Sequence, residues 1–223
     1  MIDEALNRKL RSIEILKQHG VPYIEHLPVI ETKEEVKIRS AEEIAKRAIA
    51  CLLTIQMAFD HEGSENIDEN RDFFLNLLET YDAKDYLTKD EERIFYGEPD
   101  RQDLINMTWR YEAYWVLLWA LGIVKHLSFP SEPCDCDFAI ASVAKCPSFD
   151  DFMASTHLRD IDEILDENDL VFRYNWACVN ARIKGHEAPA NLDSSVVLER
   201  HKALNWLIDF DKDDDWDNPS TDT

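Results

Sequence analysis

Glycine is scarce in this chain, with 5 in 223 residues beside 8 prolines. So little glycine leaves few positions for the tight turns of a many-stranded sheet, or for the loops whose bare backbone cradles phosphates. No Gly-x-Gly-x-x-Gly, phosphate-loop or Gly-x-Ser-x-Gly motif occurs. Basic residues are also few. Twenty-four Lys and Arg face 46 Asp and Glu, for a formal net charge of −22. A surface of that sign repels phosphate backbones and anionic lipids, so neither nucleic acid nor a membrane is an expected partner. A basic protein would be attracted. Long apolar runs are missing too: the longest, Ala113 to Val124, covers 12 residues, against about 20 for a transmembrane helix. The start, Met1-Ile2-Asp3-Glu4, shows no leader pattern. Five cysteines without regular spacing read as reduced thiols. The expectation is a cytoplasmic protein with no cofactor and no metal.

What is present argues for a packed core. Six Trp, seven Tyr and ten Phe are too many for a disordered chain. Apolar residues recur at three- and four-residue steps. Ile2, Leu6, Leu10, Ile13 and Leu16 make the stripe of a first helix that Gly20 ends. Ser40 with Glu43, and Thr88 with Glu91, are capping boxes that open two more. Further helical patterns run from Asn66 to Tyr81, from Phe138 to Ala144, from Ser148 to Ala154, from Arg159 to Lys184 and from Ser194 or Ser195 to Ile208. A long central helix is expected from about Asp100 to His126, apolar on every side from Ala113 onward and therefore buried all round. The fold class is all-α: one globular multi-helix domain over residues 1–208, with at most one short strand or β-hairpin near residues 21–30. Residues 209–223, rich in Asp, read as a disordered acidic tail.

The residues that could carry chemistry are charges drawn toward apolar faces. Helical projection places Glu112 beside Ile105, Trp115, Val116 and Trp119, and Arg110 beside Tyr114, Leu117 and Leu121. In the last helix Arg200 falls inside the stripe of Val197, Leu204 and Ile208, with His201 at its edge. Glu199, Lys202 and Trp206 fall on the far side. Arg182 and Arg47 flank apolar stripes of their own. A charge inside a core needs a counter-charge. The polar cluster Arg110, Glu112, Arg182, Glu199, Arg200 and His201 therefore has two readings, a structural ion-pair network or a pocket for an anionic ligand with Glu or His as acid and base. Trp206 on a polar face is a candidate interface anchor. Cys134-Asp135-Cys136, with Cys146 and His126, is one Cys pair where zinc sites usually show two.

Several blocks together resemble a known family. They are Arg8 to Gly20, His26 to Ile30, Arg39 to Arg47, Trp109-Arg-Tyr-Glu-Ala113, Leu118 to Gly122 and Glu199-Arg-His-Lys-Ala-Leu-Asn-Trp-Leu207. The chain is similar over nearly its whole length to the family of domains of unknown function numbered 4272. The resemblance implies a helical, bacterial-type intracellular domain and assigns no activity, cofactor or catalytic residue. The charge and the absence of a catalytic motif favour a non-enzymatic interaction protein that binds a basic protein, as an immunity or inhibitor protein does. The alternative is an enzyme or ligand sensor built on the Arg/Glu/His cluster.

Overall fold

Ser40 shows how the sequence sets its helices. Its hydroxyl accepts the Glu43 backbone N–H while the Glu43 carboxylate accepts from Ser40, and the helix that follows is Ala41–Gly63. In the computed structural model, which describes residues 2–208 and 215–221 (side chains from residue 4 onward), the elements are α1 (Ile2–His19), α2 (Ala41–Gly63), α3 (Ile67–Thr80), α4 (Lys89–Tyr96), α5 (Arg101–Trp109), α6 (Tyr111–Ala120), α7 (Cys136–Ala144), α8 (Phe149–Ala154), α9 (Ile161–Ile183) and α10 (Ser194–Ile208). The fold is all-helical. The chain forms two compact units, Met1–Arg39 with Leu127–Pro133 and Arg159–Thr223, and Ser40–His126 with Cys134–Leu158.

The second of these, residues 40–126 with 134–158, is built around α2, against which α3, α4, α5, α6 and α8 pack. Its Ala45, Ala48, Ala50 and Ala58 are fully buried, and small side chains let neighbouring backbones come close. The expected central helix from Asp100 to His126 is corrected here. It breaks at Arg110 between α5 and α6, and it ends at Ala120. Gly122 stops it: the Gly122 and Ile123 N–H groups donate back to the Trp119 and Leu118 carbonyls, which requires the left-handed φ of +73° found at Gly122. A Cβ there would also lie 2.8 Å from the His157 carbonyl oxygen. Arg47 reaches the Glu91 carboxylate with one guanidinium nitrogen and the Tyr86 carbonyl with another. Glu91 is also the third residue of the Thr88 capping box, so one carboxylate ties α4 to α2 and caps α4.

The other unit packs α1 and α10 on α9. No strand forms at residues 21–30, and among the described residues only Lys37 makes an isolated bridge. Pro22 and Pro28 offer no N–H to a ladder, and side chains take over the carbonyls. Lys9 donates to the Glu25 and Leu27 oxygens, Arg8 to that of Glu31, and Arg173 to that of Pro28. Of the expected acidic tail, residues 209–214 and 222–223 lie outside the described residues. Within residues 215–221 Trp216 is buried and its ring stands edge-on to Trp206 at 5.1 Å. Trp206 is therefore itself buried, with the Arg39 guanidinium 4.2 Å from its ring, and is not an exposed interface anchor. The polar face assigned to it by projection is covered by chain only ten residues further on.

Candidate functional site

The extended segment from Pro28 to Lys37 runs past α9 and α10 and leaves a cavity of about 350 Å³. That size suits a small molecule. Ile30, Val36, Phe172 and Ile208 give it apolar walls, and Glu31, Glu35 and Lys37 stand exposed at its rim. Glu35 is held below the usual carboxylate range by the Thr32 N–H and hydroxyl that donate to it.

His201 lines this cavity and is 1% exposed. A hydrogen-bond chain fixes its state. Asn168 donates its amide to Asn205 Oδ1 at 3.0 Å. Asn205 must then present Nδ2 on its other side, where it donates to the Ser220 carbonyl at 2.6 Å and faces His201 Nε2 at 3.2 Å. His201 Nε2 is accordingly an acceptor, and the ring proton sits on Nδ1. Nδ1 is buried without a partner among the described residues. Burial brings the His201 pKa down to about 4, so the imidazole is neutral at pH 7.

Arg200, the preceding residue, opens on a different cavity of about 190 Å³ in the same unit. It donates to the Ser128 carbonyl at 2.6 Å. Glu167 and Tyr174 share that cavity. Desolvation raises Glu167 to about 7 despite the opposing charges of Arg200 and Arg159, and part of its side chain still meets solvent. Burial also pushes the Tyr174 phenol up.

These two groups bend the stability profile in opposite directions. The folded pKa of His201 is depressed, so its contribution is intact above the unfolded value of 6.5 and lost as pH falls toward 4, about 3 kcal/mol in all. The folded pKa of Glu167 is raised, so its contribution is intact below the unfolded value of 4.5 and lost, by about 3 kcal/mol, as pH rises through 7. Between pH 4.5 and 6.5 the slopes oppose each other. In Glu167→Gln the stability measured by urea unfolding should rise with pH across this window by about 2–3 kcal/mol more than in the parent. Equal slopes would show that Glu167 is not shifted.

None of the remaining sequence candidates lines the His201 cavity. Glu199 pairs with Lys202 at 2.6 Å. Arg182 is exposed in the last turn of α9, beside a third cavity that Cys178 also lines; it is not drawn into the core. Arg110 and Glu112 belong to the unit built on α2, both buried, and the Glu112 carboxylate accepts the Cys134 backbone N–H. Burial and the Glu112 charge push the Cys134 thiol well up, and burial raises Cys136, which keeps both protonated rather than ready as thiolate ligands. No group of three or more His, Cys, Asp or Glu suited to a metal occurs among the described residues. Nor is any helix among them long and apolar enough to cross a membrane.

The periodicity that placed His201 at a stripe edge missed Asn168, Phe172 and Glu167. The usable signal was Asn205, four residues after His201 and so on the same face of α10. Neither the curated proteins nor the solved structures include a match to this chain. A family model does match, the domain of unknown function DUF4272, over residues 8–219, and the chain belongs to that family.

Proposed function

We propose that this chain is a non-enzymatic acidic binding protein that captures a basic protein partner, in the way an immunity or inhibitor protein masks a cationic target. The carrying observation is the net charge of −22, together with the way the buried bases are used. Arg8 faces Glu4 and Asp166, Lys46 faces Glu42 and Asp82, Arg47 faces Glu91, and Arg173 faces Asp169. Each of these four bases is matched by carboxylates of its own unit, so none of the four offsets the excess acid elsewhere. A field of one sign accelerates encounter with a cationic partner and weakens with salt. In binding kinetics against a panel of basic proteins, one partner should bind at one-to-one stoichiometry, with an association rate that falls about tenfold or more between low and physiological salt. Uniform weak adsorption of every cationic protein, with no saturating partner, refutes the reading.

The cavity beside α10, lined by Ile30, Val36, Phe172 and Ile208, favours a second reading, a small-molecule site. An anion suits it poorly. The imidazole carries no charge at neutral pH, Arg200 lines the other cavity, and at the rim two carboxylates, Glu31 and Glu35, outnumber Lys37.

A further inference from the structure

We infer that the cavity of about 190 Å³ lined by α1, Leu127 to Pro130, α9 and α10 binds a small aliphatic carboxylic acid, whose carboxylate lies between the Tyr174 hydroxyl and the Glu167 carboxyl group in the field of Arg200. This goes beyond capture of a basic protein and stands or falls separately from it.

Three features select that chemistry. The first is a pair of open polar groups. Among the described residues neither the Glu167 carboxylate nor the Tyr174 hydroxyl makes a hydrogen bond, yet neither is sealed from solvent. Both residues line this cavity and share one face of α9, two turns apart. Side chains on a helix lean back toward its N-terminus, so the Tyr174 ring reaches toward Glu167, whose charge is felt at the phenol. The second feature is charge. The charged groups around Glu167 are Arg200 from α10, Arg159, and Asp166 from α9. Asp166 is taken up by Arg8 and Arg11, and Arg159 faces Glu163 at 3.4 Å. Arg200 donates to the neutral Ser128 carbonyl, and its Nη2 is shut off from solvent. It acts on the cavity through its field, which holds an anion and opposes an ammonium group. Glu167, pushed up to about 7 by burial, completes the balance. An entering carboxylate draws one proton from water onto the pair, and the two carboxyl groups share it beside one guanidinium. What enters is in sum the neutral acid, which the net charge of −22 does not repel. The third feature is the wall. Ile15, Leu127, Leu170 and Val171 take an aliphatic chain. His19, exposed and stacked on Phe129 at 4.6 Å, also lines the cavity and is the other titratable group there.

The test uses the full chain and three probes of one shape: pentanoate, pentanamide and pentylammonium. Binding is followed by titration calorimetry at pH 6 and pH 8, in buffers of two different ionisation heats. At pH 6 pentanoate should saturate at one-to-one stoichiometry and bind at least about tenfold tighter than either other probe. By pH 8 its affinity should fall about tenfold, with close to one proton taken up per molecule bound. Glu167→Gln, which keeps a donor but cannot titrate, should bind pentanoate equally at both pH values. His19→Gln should keep the parental pH dependence. Tyr174→Phe should lose about tenfold in affinity at pH 6, and Ile15→Trp, which fills the cavity from α1, should abolish binding. Should either of these last two fail to fold, the order of the probes and the pH dependence on the native chain decide alone. Amide or ammonium binding as tight as that of pentanoate at pH 6, or equal pentanoate affinity at both pH values in the native chain, overturns the inference. So does a pH dependence that survives Glu167→Gln or disappears in His19→Gln.

Discussion

Glu91→Ala should destabilise the unit built on α2 by about 3–5 kcal/mol, which is a large fraction of what a domain has in hand. Both side chains of the Arg47–Glu91 pair are at most 3% exposed. Removing the carboxylate strands a guanidinium that can neither give up its proton nor reach water. The same substitution removes one half of the Thr88 capping box, so α4 loses its N-terminal partner as well. The contrast that identifies the cause is the double replacement Arg47→Met with Glu91→Leu. It removes both charges, keeps apolar volume, and should recover most of the loss, because a well-packed apolar pair is often as stable as a buried ion pair. Denaturant unfolding of parent, single and double variants checks this. A single variant within about 1 kcal/mol of the parent would mean that the pair is solvated in solution.

The parts of this fold that could be read from the sequence are those decided within a few residues. Ser40 with Glu43 and Thr88 with Glu91 announce their helices because each cap bonds to a backbone group three positions away. Gly20 and Gly185 end α1 and α9 with positive φ for the same local reason. Gly122 belongs to the same class, yet it was hidden inside an apolar run. Projection treats Leu121, Gly122 and Ile123 as more helix, whereas the left-handed turn and the nearby His157 carbonyl make glycine a stop. The site was legible only on α10. His201 and Asn205 share a face by spacing, but Asn168 comes from α9 and the Ser220 carbonyl from the far side of a segment rich in Asp. Composition alone gives that segment to solvent; within residues 215–221 Asp215, Asn218 and Ser220 are indeed exposed, but the Trp216 indole is buried and anchors the stretch. Asp169 and Arg173 escaped notice for a related reason. The first half of α9 is so acidic that its charges look like one solvated face, and only tertiary packing shows that this pair points inward.

That inward pair is where stability and site meet. In Asp169→Ala the expected loss is about 3–5 kcal/mol, by the physics that governs Arg47. Arg173 is 1% exposed and Asp169 fully buried, one helical turn apart, with two nitrogens of the guanidinium 2.8 and 2.7 Å from the two carboxylate oxygens. The bidentate grip also aims the guanidinium, and Arg173 uses the nitrogen on that side to hold the Pro28 carbonyl at 3.1 Å. Pro28 begins the segment that walls the His201 cavity. Without Asp169 the guanidinium has lost the acceptor that set its direction, and the extended segment has lost one of the side-chain anchors that replace a β-ladder. Asp169→Ala should therefore speed backbone hydrogen exchange in the Pro28–Lys37 segment even under conditions where unfolding measurements show the variant to be folded. Asp169→Asn, which keeps one oxygen as acceptor, should fall between the two in both readouts. If the Ala variant unfolds earlier but the segment exchanges at the parental rate while folded, Arg173 supports the helix alone, and the position of the Pro28 segment is set by Arg8, Lys9 and the packing of Leu27.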